Sequence, residues 1–257
     1  MACSGSLQSG LRVFKGFLGC IVLAACGSAS PITSDACQAY RHAGADYIVC
    51  KYNTRKDDIR FFHSDAEDRP YLQFDVLARE LSEQGLTLSF AMNGGMYHDD
   101  RSPVGFYRDP LGDRAQVNTN DGPGNFHLKP NGVFWLMDDR AGISESQAYL
   151  ASDLDPVYAT QSGPMLVLNG QLHPGLNPEG TSRRRRNGVG VDAIGEEVYF
   201  VISDDAVSFH DFATLFRDAL ETPDALYLDG QVSRLYAPAL RRNEAGADLG
   251  PIVGVVD

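Results

Sequence analysis

Apolar, β-branched and aromatic residues recur along this chain in short runs separated by polar, glycine-containing breaks. The runs at 46–50, 59–63, 86–92, 104–107, 132–137, 164–168, 188–193, 198–203, 225–228 and 252–256 have strand length and strand composition. Between them stand turn signals such as Asn93-Gly94-Gly95, Asn131-Gly132, Asn169-Gly170 and Asp229-Gly230, which supply positive φ without a Cβ clash. Two stretches change period. Phe74, Leu77 and Leu81 share a face of a helix predicted over 74–84, with Gly85 as its stop. A second helix is predicted over 208–221, where Ser208 and Asp211 form a capping-box-like pair. Its stripe of Phe209, Phe212, Ala213, Phe216 and Leu220 reads as core packing.

The strand at 198–203, this helix and the strand at 225–228 make a βαβ unit, whose strands are expected to be parallel and joined by a right-handed crossover. The fold class is therefore α+β: one β-rich domain with a mixed, twisted sheet and at least one βαβ unit. Ligands of parallel units sit beyond the carboxyl ends of the strands. Those ends carry Ser203-Asp204-Asp205 and Asp229-Gly230, and the strand at 86–92 delivers Asn93-Gly94-Gly95 in the same way.

The N-terminus alters the setting. Arg12 and Lys15 precede an apolar run, 17–25, too short to span a bilayer, so residues 1–25 read as a signal peptide. Leu23-Ala24-Ala25-Cys26 has the order of a bacterial lipobox, with Cys26 as the lipidated residue, and 26–34 forms a short tether. The expectation is an exported, periplasmic domain over 35–257, lipid-anchored to the envelope with the outer membrane favoured. No linker divides it, so it is read as one domain. Loss of Arg12 and Lys15 takes the net charge from -12 to -14, a balance that disfavours nucleic acid. Membrane contact is expected only through the anchor. In an oxidising compartment Cys37 and Cys50 read as one disulfide, with two buried thiols as the alternative.

Paired carboxylates at neighbouring strand ends suit acid/base chemistry, because a like-charged neighbour pushes one of them to keep its proton. Asp204 and Asp229 are the candidates. Arg183-Arg184-Arg185-Arg186 is the strongest departure from the acidic average, and guanidinium groups suit a phosphate. Arg186, directly before the strand at Asn187, is the one expected to be fixed; the other three read as solvent-facing. Backbone near Gly94, Gly95, Asn125, Ser162 and Gly163 lies in glycine loops that let amides approach a ligand. The histidines are scattered without ligand spacing, so no cofactor is expected.

Taken in order, several stretches resemble the phosphodiester glycosidase family. They are 90–97 (FAMNGGMY), Pro103-Val104-Gly105, Gly124-Asn125-Phe126, 130–134 (PNGVF), 159–166 (ATQSGPML), 186–191 (RNGVGV) and Leu226-Tyr227-Leu228-Asp229-Gly230. The resemblance implies a mixed α+β domain that hydrolyses a glycosyl phosphodiester, a small molecule or glycan. It places Asn93, Gly94, Gly95, Arg186, Asp204, Asp229 and Gly230 in the site. Two departures stand out: Asn187 where relatives carry threonine, and Gln231-Val232-Ser233 where they carry more glycine. The Asn187 amide suits sugar hydroxyls or phosphate equally.

The reading is thus an envelope hydrolase acting on a sugar 1-phosphodiester. Arg186 and the Asn93-Gly94-Gly95 backbone hold the diester, while Asp229 and Asp204 divide the acid and base roles. Two other readings use the same cleft. One is a lectin for anionic phosphoglycans, which would bind without turnover. The other is a phosphodiesterase with Asp204, Asp205 and Asp229 on a divalent cation, which a chelator would silence.

Overall fold

The computed structural model describes residues 36–257. The expected signal peptide, Cys26 and the tether lie outside the described residues. In chain order the strands are β1 (Cys37–His42), β2 (Ala45–Asn53), β3 (Asp58–Phe62), β4 (Leu88–Asn93), β5 (Tyr107–Asp109), β6 (Gly112–Ala115), β7 (Gly132–Leu136), β8 (Ala141–Glu145) and β9 (Tyr158–Ser162). They continue with β10 (Met165–Leu168), β11 (Gln171–Leu172), β12 (Asn187–Val191), β13 (Glu197–Ser203), β14 (Asp224–Asp229), β15 (Leu235–Ala237), β16 (Arg242–Asn243) and β17 (Ile252–Val256). The helices are α1 (Phe74–Glu83), α2 (Ser146–Leu150) and α3 (Phe209–Thr214).

Three sheets form: β1-β2-β13-β12-β14-β10-β11, β16-β15-β4-β17-β3 and β6-β5-β9-β7-β8. They meet over phenylalanines contributed one per sheet. Phe200 of β13 stacks on Phe90 of β4 at 5.3 Å between ring centroids and meets Phe134 of β7 edge-on at 6.0 Å. All three rings are buried, and each contributes about 1.5–3 kcal/mol through removal from water. Strand β2 shows why the seven-stranded sheet is central. Ile48, Cys50 and Tyr52 face this shared core, whereas Tyr47 and Val49 face the layer holding Phe212 and Phe216. Both faces of the strand are thus apolar, as a sheet covered on two sides requires.

The α+β, β-rich architecture agrees with the sequence reading, and the mixed sheet does not form. Every strand ladder among the described residues is antiparallel. β13 and β14 do run in the same direction on either side of the crossover, but β12 lies between them and pairs antiparallel with both. β12 can sit under the helix because its glycines leave room. A Cβ on Gly190 would fall 2.7 Å from both the Phe216 ring and Thr222 Oγ1. The helix is also shorter than the stripe suggested: after Thr214 it continues as a π-helical turn, Leu215–Ala219. Its start is as expected, with Ser208 Oγ accepting from the Asp211 amide at 3.0 Å. α1 packs Phe74, Leu77 and Leu81 onto Leu88, Ile252 and Val256 of the second sheet.

At the far edge, β1 and β2 place Cys37 opposite Cys50, and the two are joined by a disulfide.

Candidate active site

Because β12 opposes both neighbours, its first residues lie at the same edge of the sheet as the last residues of β13 and β14. That edge brings together Arg186, Asn187, Ser203 and Asp229. The second sheet delivers Asn93 there at the end of β4, and the third delivers Ser162 at the end of β9, whose Oγ donates to Leu228 O at 3.1 Å.

Asp229 is the centre. Its Oδ1 accepts from the amides of Gly230 (2.6 Å) and Gln231 (2.8 Å), and its Oδ2 accepts from Asn93 Nδ2 (3.1 Å). Asn93 is itself oriented, since the Arg234 amide donates to its Oδ1 at 2.8 Å. An N–H must meet an oxygen, so the amino end of Asn93 faces the carboxylate. Asn187 Nδ2 donates to Asn93 O (2.9 Å), and Ser233 Oγ donates to Asn187 Oδ1 (3.1 Å) and lies 3.1 Å from Asp229 O. Burial is the largest influence on Asp229 and holds its carboxyl above the ordinary value. The amides of Gln231, Gly230 and Val232 and the Asn93 side chain oppose that shift, because they favour the charged form.

Arg186 is only 1 % exposed. Its guanidinium donates to Val207 O (2.9 Å), Ser182 O (3.0 Å) and Tyr227 Oη (3.4 Å), and lies 3.6 Å from the centroid of the Phe209 ring. No carboxylate lies within ion-pair distance of it among the described residues. A buried cation held by carbonyls and a ring keeps its charge uncompensated, and three of its five N–H groups are used by these partners. Tyr227 lies two residues before Asp229 on β14, and the Asn125 side chain lies close enough to its hydroxyl to favour the charged form. Burial pushes that hydroxyl above its ordinary value, Asp229 adds to the shift and Arg186 opposes it. Tyr97 is close enough to feel the charge of Asp229, and burial pushes its hydroxyl up to about 12.

Asp204 stands at the end of β13 but is not in contact with Asp229. Its Oδ1 accepts from Arg242 at 2.8 Å and lies 3.6 Å from Arg185. Asp205 Oδ2 accepts from the Asp46 amide at 2.9 Å. The three carboxylates of the cation reading are therefore held by different partners, and no metal-holding group of His, Cys, Asp and Glu forms among the described residues.

The glycines serve close packing within the protein. The Gly94 amide donates to Pro251 O at 2.8 Å, and a Cβ there would fall 2.9 Å from the backbone of Ile252 and Val253. Gly95 abuts Thr160 Oγ1, and Gly163 abuts Asn131 and Phe126. At Gly230 a Cβ would fall 1.8 Å from Tyr227 Oη.

Arg185 departs from the solvent-facing reading. It bridges Glu244, Ser203 O and Ser233 O as well as approaching Asp204. Sequence reasoning named Ser233 only as part of a departure from the family pattern and did not single out Tyr227, Arg234 or Glu244. Of the last three, Tyr227 alone carried a signal, inside the matching 226–230 stretch.

The family model for phosphodiester glycosidase matches residues 87–250, which contain all of these groups. The uncharacterized protein YigE of Escherichia coli is 34 % identical over 184 residues, covering 72 % of this chain and 71 % of that protein. The catalytic domain of zebrafish N-acetylglucosamine-1-phosphodiester alpha-N-acetylglucosaminidase, auto-inhibited by its pro-peptide, superposes with a TM-score of 0.57 at 13 % identity. The match covers 89 % of this chain and 84 % of that one. A hypothetical protein from Synechocystis gives a TM-score of 0.54 at 14 % identity over 86 % of this chain, and this chain spans 61 % of that structure's length. The chain belongs to the phosphodiester glycosidase family.

Proposed function

We propose that this protein hydrolyses a glycosyl phosphodiester at the Asp229 site. The observation that carries the reading is a buried carboxyl, raised by its surroundings, at the same sheet edge as a buried guanidinium that has no carboxylate partner. The first holds its proton more tightly than an ordinary aspartate, as a general acid needs. The second is a receptor for a diester anion. In this reading water adds its hydroxyl to C1 or to phosphorus, and the bridging oxygen leaves with the proton of Asp229. Oδ2, with one amide donor against two on Oδ1, is the oxygen with room for that proton. Asp204, at the same edge and held by Arg242, is the second carboxylate, the base toward water. Arg186, with Asn125 and the turn that begins at Gly230, bounds the diester. Both routes give a free sugar and a phosphomonoester.

The test is release of sugar from a panel of sugar 1-phosphodiesters in water enriched in oxygen-18. Label in the sugar marks cleavage of the C1–O bond, and label in the phosphate marks cleavage of P–O. Asp229→Asn is expected to lower turnover by roughly 100- to 10,000-fold while the protein stays folded. Full activity in that variant removes Asp229 from the chemistry.

The same proposal places the enzyme in the bacterial envelope, anchored through Cys26. Incorporation of labelled palmitate, and its loss in Cys26→Ser, tests that placement; an unlabelled wild-type protein rejects it.

A further inference from the structure

The turn from Gly230 to Arg234, between β14 and β15, is tied down at both ends. At its start its amides point at Asp229 Oδ1. At its end Arg185 Nη1 donates to Ser233 O at 3.3 Å. The same guanidinium straddles the Glu244 carboxylate, Nη1 to Oε2 at 2.7 Å and Nη2 to Oε1 at 2.8 Å. Glu244 Oε2 also accepts from the Leu235 amide at 3.0 Å, and the Glu244 amide donates to Leu235 O at 3.1 Å. Arg242 adds a further contact to Glu244 Oε1 and joins it to Asp204. Neither Arg185 nor Glu244 is among the hydrogen-bond partners of Asp229.

We propose that the Arg185–Glu244 pair is a clamp that holds the Gly230–Arg234 turn with its amides on Asp229, making both residues positioning residues for that carboxyl. A fork-to-fork guanidinium–carboxylate pair fixes direction as well as distance. Here the fixed carboxylate grips the residue after the turn, and the guanidinium grips the last carbonyl but one within it. With Ser233 Oγ bonded back toward Asp229 O and Asn187 Oδ1, slippage at 233–235 tilts the amides of 230–232 away from Oδ1.

The consequence has a sign that separates a clamp from a plain charge effect. Burial and the amides act on Asp229 in opposite directions. Releasing the clamp removes the amides and leaves the burial, so the carboxyl becomes harder to ionise. By charge alone, Glu244→Gln removes a negative charge and leaves Arg185 and Arg242 less compensated, which makes Asp229 easier to ionise. The charged and titratable groups around the two carboxyls are few. Asp229 faces Tyr97 and Tyr227, while Glu244 faces Arg185, Arg242, Arg234 and, across Arg242, Asp204.

The proposal builds on the reading of Asp229 as the acid, but its test does not need turnover. Carbon-13 NMR titration of the Asp229 carboxyl is compared in the wild type, Glu244→Gln and Arg185→Lys. The expected result is an upward move of the midpoint in Glu244→Gln, and in Arg185→Lys as well, since lysine keeps the charge and loses the fork. With substrate, kcat falls on the order of tenfold with KM little changed, and the basic limb of the pH profile moves up with the midpoint. A downward move or no move in folded Glu244→Gln overturns the clamp. Should Glu244→Gln fail to fold, an unmoved midpoint in Arg185→Lys overturns it equally. An upward move in proteins that release no sugar upholds the clamp and rejects the hydrolase.

Discussion

Asn93 Nδ2 donates to Asp229 Oδ2 at 3.1 Å, from the end of a strand in one sheet to the end of a strand in another. Neither residue can reorient alone. Asn93 is fixed by the Arg234 amide on its Oδ1, and Asp229 by two amides of its own turn. The carboxyl is therefore aimed by two sheets at once, the kind of double support that keeps a reacting group within a fraction of an ångström of its position.

Burial makes Asp229 a pH-dependent element of stability. Its folded-state carboxyl is raised above the ordinary 3.8, chiefly by burial. A group that holds its proton more tightly when folded adds stability that is complete below the unfolded value and lost as pH rises through the folded one. Relative to Asp229→Ala, whose cavity cost does not depend on pH, the wild type is expected to lose stability as pH rises from about 4. Urea midpoints for both proteins across acidic to neutral pH measure the difference. A difference that stays flat, or grows with pH, contradicts a raised carboxyl.

Much of this candidate site was legible in the sequence. Asn93, Arg186 and Asp229 each follow or precede a clear strand signal, and their neighbours are short-range motifs. Arg185 was not legible as a structural group, because its partner Glu244 lies 59 residues away and nothing local marks that pairing. The antiparallel sheet escaped for a related reason. Crossover rules fix the direction of β13 and β14 but do not say that β12, earlier in the chain, fills the space between them. Strands such as β9, buried yet carrying Thr160, Gln161 and Ser162, show no alternation, since their polar groups are satisfied across sheets. Thr160 Oγ1 and Ser162 Oγ, for instance, donate to Gly94 O and Leu228 O.

Arg186 separates charge from shape. Arg186→Lys keeps a cation but cannot reach Val207 O, Ser182 O and Tyr227 Oη together, and it loses the planar contact with Phe209. Each buried carbonyl left bare costs about 1–3 kcal/mol, so a fall in stability of that order is expected. If the two remaining N–H groups hold the diester, KM for sugar phosphodiesters rises about tenfold or more in the same variant. Unchanged KM in a folded Arg186→Lys protein assigns this arginine to structure alone.

The disulfide acts at the opposite end of the sheet. Cys37 and Cys50 are separated by 13 positions, and closing such a loop constrains the unfolded chain by roughly 3 kcal/mol. The double variant Cys37→Ala, Cys50→Ala is expected to lose that much stability. For a domain of this size the loss is a Tm drop of about 6–12 °C. Turnover at room temperature should be retained, because β1 is the outermost strand and none of its residues reaches Asp229. Differential scanning calorimetry beside a sugar-release assay checks both halves, and a drop in turnover without a drop in Tm contradicts the separation.

Gly230 links the two halves of the site. A methyl group there would lie 1.8 Å from Tyr227 Oη and 2.9 Å from Cζ, so Gly230→Ala forces the tyrosine hydroxyl off Arg186 or drags the Asp229 turn outward. Overpacking of this kind costs about 1–3 kcal/mol. The first collision is with an oxygen that phenylalanine lacks, so Tyr227→Phe in the Gly230→Ala background is expected to recover most of the lost stability, leaving the milder Cζ contact. Turnover in the double variant then reports what the hydroxyl itself does. Recovery of stability without activity places Tyr227 Oη, with Arg186, on the reacting phosphate. Recovery of both leaves the tyrosine as packing, and failure to recover either means that the turn, not the ring, yields to the added methyl.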